Sequence, residues 1–202
     1  DHILFLVEAS GGMVADNIEQ AAEMMEEDDE TKQNSDKWVR VKKGLRWMIA
    51  NLKEGASYKI VFFNKDVMPV ELSYGQVWFD PYDKEVTLDV LEKIDEVVPE
   101  GGANLERAFD MVDEFEIDPD RIVLIADGLP TQADSYQMPS APDDHDRMNA
   151  FRAAKKALNT TAPVNVLLYP MMNDPGAAVY FWRLTDEYGG AMVCPSNSWP
   201  NI

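Results

Sequence analysis

The sequence predicts an α/β fold, a doubly wound and mainly parallel central sheet of about six strands with helices on both faces. Three observations predict it. A continuous apolar run at residues 3–7 and largely apolar ones at 58–63, 121–126 and 164–169 suit strands buried on both faces, as in a parallel sheet. Stretches with apolar residues at helical spacing separate these runs. Glycine- or proline-bearing loops then leave two of them, Ser10-Gly11-Gly12 and Asp127-Gly128-Leu129-Pro130. In open α/β sheets such loops, at the carboxyl ends of strands, are where ligands bind.

The first run, Ile3-Leu4-Phe5-Leu6-Val7, ends at the acid Glu8. Residues 14–34 read as an acidic insertion, in which Ile18, Ala21, Ala22 and Met25 fall at helical spacing. Glu26 to Glu30 are all acidic; they repel one another and are expected to form a solvated loop. Ser35 is a good N-cap for a long helix whose stripe is Trp38, Val41, Leu45, Met48 and Leu52. After the strand at 58–63, residues 67–72 pair beside it as an edge hairpin, where Pro69 is tolerated. The aromatic stretch with Tyr74, Trp78, Phe79 and Tyr82 reads as a loop packed back on the sheet.

A helix over 86–97 carries Leu88, Leu91 and Ile94 in step and is broken by Pro99 and Gly101. Asn104 caps the next, with Leu105, Ala108, Val112 and Phe115 facing inward. After the strand at 121–126 a long polar loop reaches about residue 146, a length often associated with function beside a ligand end. Met148, Phe151, Ala154 and Leu158 mark a further helix, and Asp174 caps the last, which Gly189-Gly190 stops. Residues 191–194 form a final strand, and 195–202 read as tail or linker.

At 202 residues the chain is one domain, large enough for a proper core. It starts almost directly in a core strand without Met, as expected of a domain excised from a longer chain. Acids outnumber Lys plus Arg by 37 to 18, a formal charge of −19, which disfavours nucleic acid and anionic membrane surfaces as partners. No apolar run approaches the roughly 20 residues that span a bilayer. Cys194 is the single cysteine, so an internal disulfide and a cysteine-based zinc site are excluded.

Three segments in order resemble the metal-ion-dependent adhesion site of von Willebrand factor A (vWA) domains, and the resemblance covers nearly all of the chain. The family's first strand ends in Asp-x-Ser-x-Ser; here Glu8, Ser10 and Gly12 stand at those positions, with Met13 following. Gly101-Gly102-Ala103-Asn104-Leu105 is similar to the family's Gly-Gly-Thr-Asn-Leu, with Ala103 at the Thr. Leu124-Ile125-Ala126-Asp127-Gly128 is similar to its strand ending in Asp-Gly. The resemblance implies a Rossmann-like vWA fold and, in intact members, a divalent ion on the hydroxyls and carboxylates of these loops.

Gly12 and Ala103 remove two of three hydroxyls, and Glu8 carries its carboxylate one methylene further out than Asp. Magnesium demands near-ideal octahedral oxygen coordination. The site is therefore read as degenerate: no cofactor is expected, with at most weak Mg²⁺, Ca²⁺ or Mn²⁺ binding through Ser10, Asp127 and Glu8. Glu8 and Asp127 are expected to accept backbone N–H bonds, with Glu8 filling the ion's place. Glu8→Asp, Gly12→Ser and Ala103→Thr together are expected to create metal affinity.

Catalysis is not expected. Ser10 lacks the Gly-x-Ser-x-Gly elbow, and His145, in an acidic loop, is the single imidazole placed to help it. Nor is there a third glycine for a dinucleotide fingerprint after the first strand. The resemblance implies instead a protein-interaction domain of adhesion type, as in bacterial adhesins and pilus tips; with the site degenerate, its partner is expected to bind independently of metal. Its alternative is a divalent-cation-dependent adhesion domain with an atypical site. The family weakly favours an extracellular, cell-surface or periplasmic setting.

Overall fold

The computed structural model describes residues 1–73, 75, 78–169, 171–172 and 174–200. Six strands, β1 (His2–Glu8), β2 (Ser57–Phe63), β3 (Val67–Pro69), β4 (Arg121–Ala126), β5 (Val164–Leu168) and β6 (Met192–Val193), form one sheet in the order β3-β2-β1-β4-β5-β6. All neighbours pair in parallel except β2 and the edge strand β3. Seven α-helices accompany them among the described residues: α1 (Ile18–Met25), α2 (Asp29–Gln33), α3 (Asp36–Ala50), α4 (Lys84–Glu96), α5 (Leu105–Asp110), α6 (Asp144–Ala157) and α7 (Pro175–Glu187).

The doubly wound expectation holds, and β1 shows why. Its side chains alternate between two cores, which explains the unbroken apolar run. Ile3, Phe5 and Val7 join Trp38, Val41 and Leu45 of α3 and Val86, Val90 and Ile94 of α4. Leu4 and Leu6 join Phe109 of α5, Phe151 of α6 and Phe181 of α7 on the opposite face. The chain moves from β1 to β2 on one side and later returns to place β4 on the other. The strand order therefore reverses between β1 and β4, and the crevice at their carboxyl ends is the sheet's ligand position.

Several elements differ from the sequence expectations in detail. The acidic block is not simply loop: Asp28 accepts from the Thr31 N–H, while Asp29 and Glu30 lie in the first turn of α2, where negative charge suits the helix dipole. Ser35 sits at the N-cap of α3 but makes no side-chain cap bond. The helix after Asn104 ends early, passing at Met111–Glu114 into a 3₁₀ turn. Phe79 packs back as expected, bridging to Tyr58 of β2 and fully buried, whereas Tyr82 is exposed. Tyr74 lies outside the described residues. In the terminal segment, Trp199 stacks edge-on against Trp47 of α3 with centroids 5.4 Å apart.

Candidate functional site

The crevice at the strand-order reversal brings Glu8, Ser10, Gly12, Ala103 and Asp127 together. All five line one cleft of about 340 Å³. Its loops are stitched by backbone bonds: Gly11 N–H donates to the Gly101 carbonyl at 2.9 Å, and Glu100 N–H donates to the Ala9 carbonyl at 3.0 Å. The Thr131 and Gln132 N–H groups both donate to the Ala103 carbonyl, and the Thr131 hydroxyl accepts from the Ala103 N–H at 2.9 Å. Glu106, buried at the start of α5, anchors the long loop by accepting from the Asp134 and Ser135 N–H groups.

Glu8 continues β1 and is only 3% exposed. Its Oε1 accepts the Ser10 hydroxyl at 2.6 Å, and its Oε2 accepts the Asp127 N–H at 3.3 Å. Burial, and then the nearby Asp127 charge, hold the Glu8 carboxyl well above the usual carboxylate range. The backbone-acceptor role expected of Glu8 is therefore realised. Asp127 differs: its carboxylate meets an ammonium.

That ammonium belongs to Lys37, in the first turn of α3 and 1% exposed. Its Nζ donates to Asp127 Oδ2 at 2.9 Å, to the Ala15 carbonyl at 2.9 Å and to the Gly12 carbonyl at 3.0 Å. Three donors meet three acceptors, so the buried charge is both paired and fully hydrogen-bonded. The sequence reading missed Lys37, although a signal existed. Residues 37, 41 and 45 share one helix face, so Lys37 stands in core-facing register with Val41 and Leu45. A lysine in that register needs a buried acid, and Asp127 is the one that meets it.

Gly12 is hemmed in by the same arrangement. A Cβ at Gly12 would lie 2.6 Å from Asp127 Oδ2 and 3.2 Å from the Met171 methyl, so a serine there displaces the carboxylate that Lys37 holds. Arg147, at the cleft's other side, is spent on Asp174 at 2.5 Å and on the Leu129 carbonyl at 2.7 Å. Asp174 in turn caps α7 and accepts from the Leu129 N–H at 2.9 Å.

The imidazoles stand apart from Ser10. His2 begins β1, at the opposite end of that strand, and contacts Asp120. His145 lies exposed on α6, its Nδ1 3.3 Å from the Asn149 amide nitrogen. Ser10 thus has a carboxyl oxygen as its hydrogen-bond partner and no histidine. Among the described residues, Asp143, His145 and Asp146 bring potential metal-ligand atoms within 4.8 Å of one another. Asp143 and Asp146, however, spend carboxylate oxygens on each other's N–H groups in the capping box of α6.

Comparison of the sequence with protein-family models finds no match, and comparison with curated proteins finds none either. Solved structures do match. The chain is similar to a von Willebrand factor type A protein from Catenulispora acidiphila, with a TM-score of 0.60 at 14% identity, over 98% of this chain and 39% of that one. It is similar to the PilB minor pilin from Streptococcus sanguinis, with a TM-score of 0.62 at 15% identity, over 98% of this chain and 57% of that one. An aerotolerance-related membrane protein from Bacteroides fragilis matches with a TM-score of 0.55 at 14% identity, over 98% and 92%. The chain spans less than two thirds of the first two proteins. Its fold is vWA-like, as the three loop segments implied.

Proposed function

We propose that this vWA-like domain is a non-enzymatic, adhesion-type interaction module that engages its protein partner without a divalent ion. One observation carries the reading: the Lys37 ammonium occupies Asp127 and the neighbouring carbonyls, so these loops already hold a cation of their own. A divalent ion would have to share Asp127 with that ammonium. It would also find glycine and alanine where hydroxyl donors are needed, and the remaining hydroxyl, Ser10, committed to Glu8. Six oxygen ligands in octahedral array do not assemble from this set. Ser10 without a histidine base supports the non-enzymatic part of the reading. Fold neighbours that include a pilin and a membrane protein support a surface or periplasmic setting.

Calorimetry with Mg²⁺ and Mn²⁺ tests the proposal. The natural chain is expected to show no binding at sub-millimolar ion, whereas a low-micromolar dissociation constant sinks the reading. Lys37→Ala is expected to gain measurable affinity, because it frees Asp127 and the Gly12 and Ala15 carbonyls from the ammonium. The structure also revises the restoring experiment. Glu8→Asp, Gly12→Ser and Ala103→Thr must be combined with Lys37→Ala, since the ammonium otherwise keeps Asp127.

A further inference from the structure

The cleft above Glu8 carries an imbalance that the metal-free reading leaves open. Glu8 and Asp127 bring two carboxyl groups to it, and Lys37 brings one ammonium, bonded to Asp127. Arg147 is neutralised by Asp174. Among the described residues no cationic side chain forms an ion pair with Glu8, although Glu8 is nine-tenths buried and lines the cleft. Of the two acids that line the cleft, Glu8 is thus the one without an ion-pair partner among the described residues. The walls are of another character: Ile18, Ala22, Met25, Leu129 and Met171 give an apolar lining, and Ile18 is 59% exposed at the rim.

An apolar-walled cleft lined by an acid that lacks an ion-pair partner matches an alkyl chain tipped with a cation. Resting on the metal-free reading above, we propose that the cleft captures a lysine side chain of the partner protein, its stem along Ile18, Met25 and Met171 and its ammonium on Glu8 and Ser10. The ligand preference is then the reverse of a site in which a metal receives an acidic side chain. Lysine is favoured over arginine by the acceptor geometry. Glu8 Oε1 already accepts from Ser10 and Oε2 from Asp127, so neither oxygen is wholly free for the parallel pair of bonds a guanidinium fork prefers, while a point-like ammonium needs one lone pair. The formal charge of −19 adds long-range attraction for a basic partner.

The test uses the full chain with methyl-labelled methionine and EDTA throughout, titrated with acetyl-Gly-Lys-Gly-amide and its norleucine, arginine and aspartate counterparts. The lysine peptide is expected to shift the Met25 and Met171 methyl resonances and to bind at least tenfold more tightly than norleucine. Glu8→Gln is expected to erase that preference. Should Glu8→Gln fail to fold, Ala22→Trp, which plugs the rim and leaves Glu8 intact, is expected to abolish the shifts. Equal binding of lysine and norleucine, tighter binding of arginine, or no shift with any peptide overturns the inference while leaving the metal-free reading standing. Binding of the aspartate peptide that appears only when Mg²⁺ replaces EDTA overturns both.

Discussion

Lys37 decides the chemistry of this domain at the level of a single side chain. Its ammonium is buried against Asp127 and two carbonyls, so removing it leaves a desolvated carboxylate behind. Such truncations cost about 3–5 kcal/mol, mostly as the penalty of the stranded partner. Lys37→Ala is expected to lose that much in urea denaturation without added metal, and adding Asp127→Asn should recover part of it; a loss below about 1 kcal/mol would mean the pair is dispensable. Glu8 has a different signature. Its folded-state pKa lies above the ordinary 4.5, raised first by burial and then by the Asp127 charge. The folded protein therefore holds this proton more tightly than the unfolded chain does. The resulting stabilisation is complete below about pH 4.5 and fades as pH climbs through the raised value. Relative to Glu8→Gln, which cannot ionise, the natural chain should lose stability as pH rises above about 4.5. Parallel stability curves for the two proteins would refute that assignment. Glu8, Ser10, Gly12, Ala103 and Asp127 could be listed from loop motifs because each lies in a short segment at the end of a strand or just before a helix. Lys37 could not, because its partner lies 90 positions away in sequence.

At the level of elements, helix starts rather than helix bodies hold the site together. Asp174 caps α7 through the Ala177 N–H, accepts from Leu129 and pairs with Arg147, joining α6, α7 and the loop after β4. Asp143 caps α6 in an exposed capping box alone. The two aspartates have the same local role and different tertiary duties, so their substitutions should separate. Asp143→Ala is expected to cost about 1 kcal/mol, the usual worth of a cap. Asp174→Ala is expected to cost about 3 kcal/mol or more, because it also strands the half-buried Arg147 charge. Equal losses in chemical denaturation would show that the Arg147 pair contributes nothing. The caps at Asn104 and Asp174 were legible because capping is a local exchange between a side chain and the N–H groups just after it. The early end of α5 was not, since Val112 and Phe115 continue the helical period through the 3₁₀ turn that replaces it.

At the level of the whole molecule, charge is the dominant long-range property. A formal charge of −19 on 202 residues means self-repulsion in the compact state that salt relieves. Surface pairs such as Arg46–Asp95 and Lys93–Glu96 lose strength on the same addition, but exposed pairs are individually worth little. Raising NaCl from 0.05 to 0.5 M is therefore expected to raise the melting temperature by at least about 2 °C, the shift roughly 1 kcal/mol produces at this size. A fall on adding salt would show that attractive pairs outweigh the net repulsion. The same excess of acid suits the domain to basic partners and sets it against nucleic acid and anionic lipid surfaces.

The amino-acid order alone determined the alternation of buried strands and amphipathic helices, the loops at the strand ends and the missing hydroxyls at Gly12 and Ala103. These are properties of neighbours along the chain: periodicity, capping and side-chain type. The three-dimensional fold decided what stands beside Asp127. Only when α3 packs on the β1 face does Lys37 come within 2.9 Å of that carboxylate, placing a cation where the motif alone left two acids. A buried charge is answered by whatever group the packing brings to it, and no local pattern records which group that is.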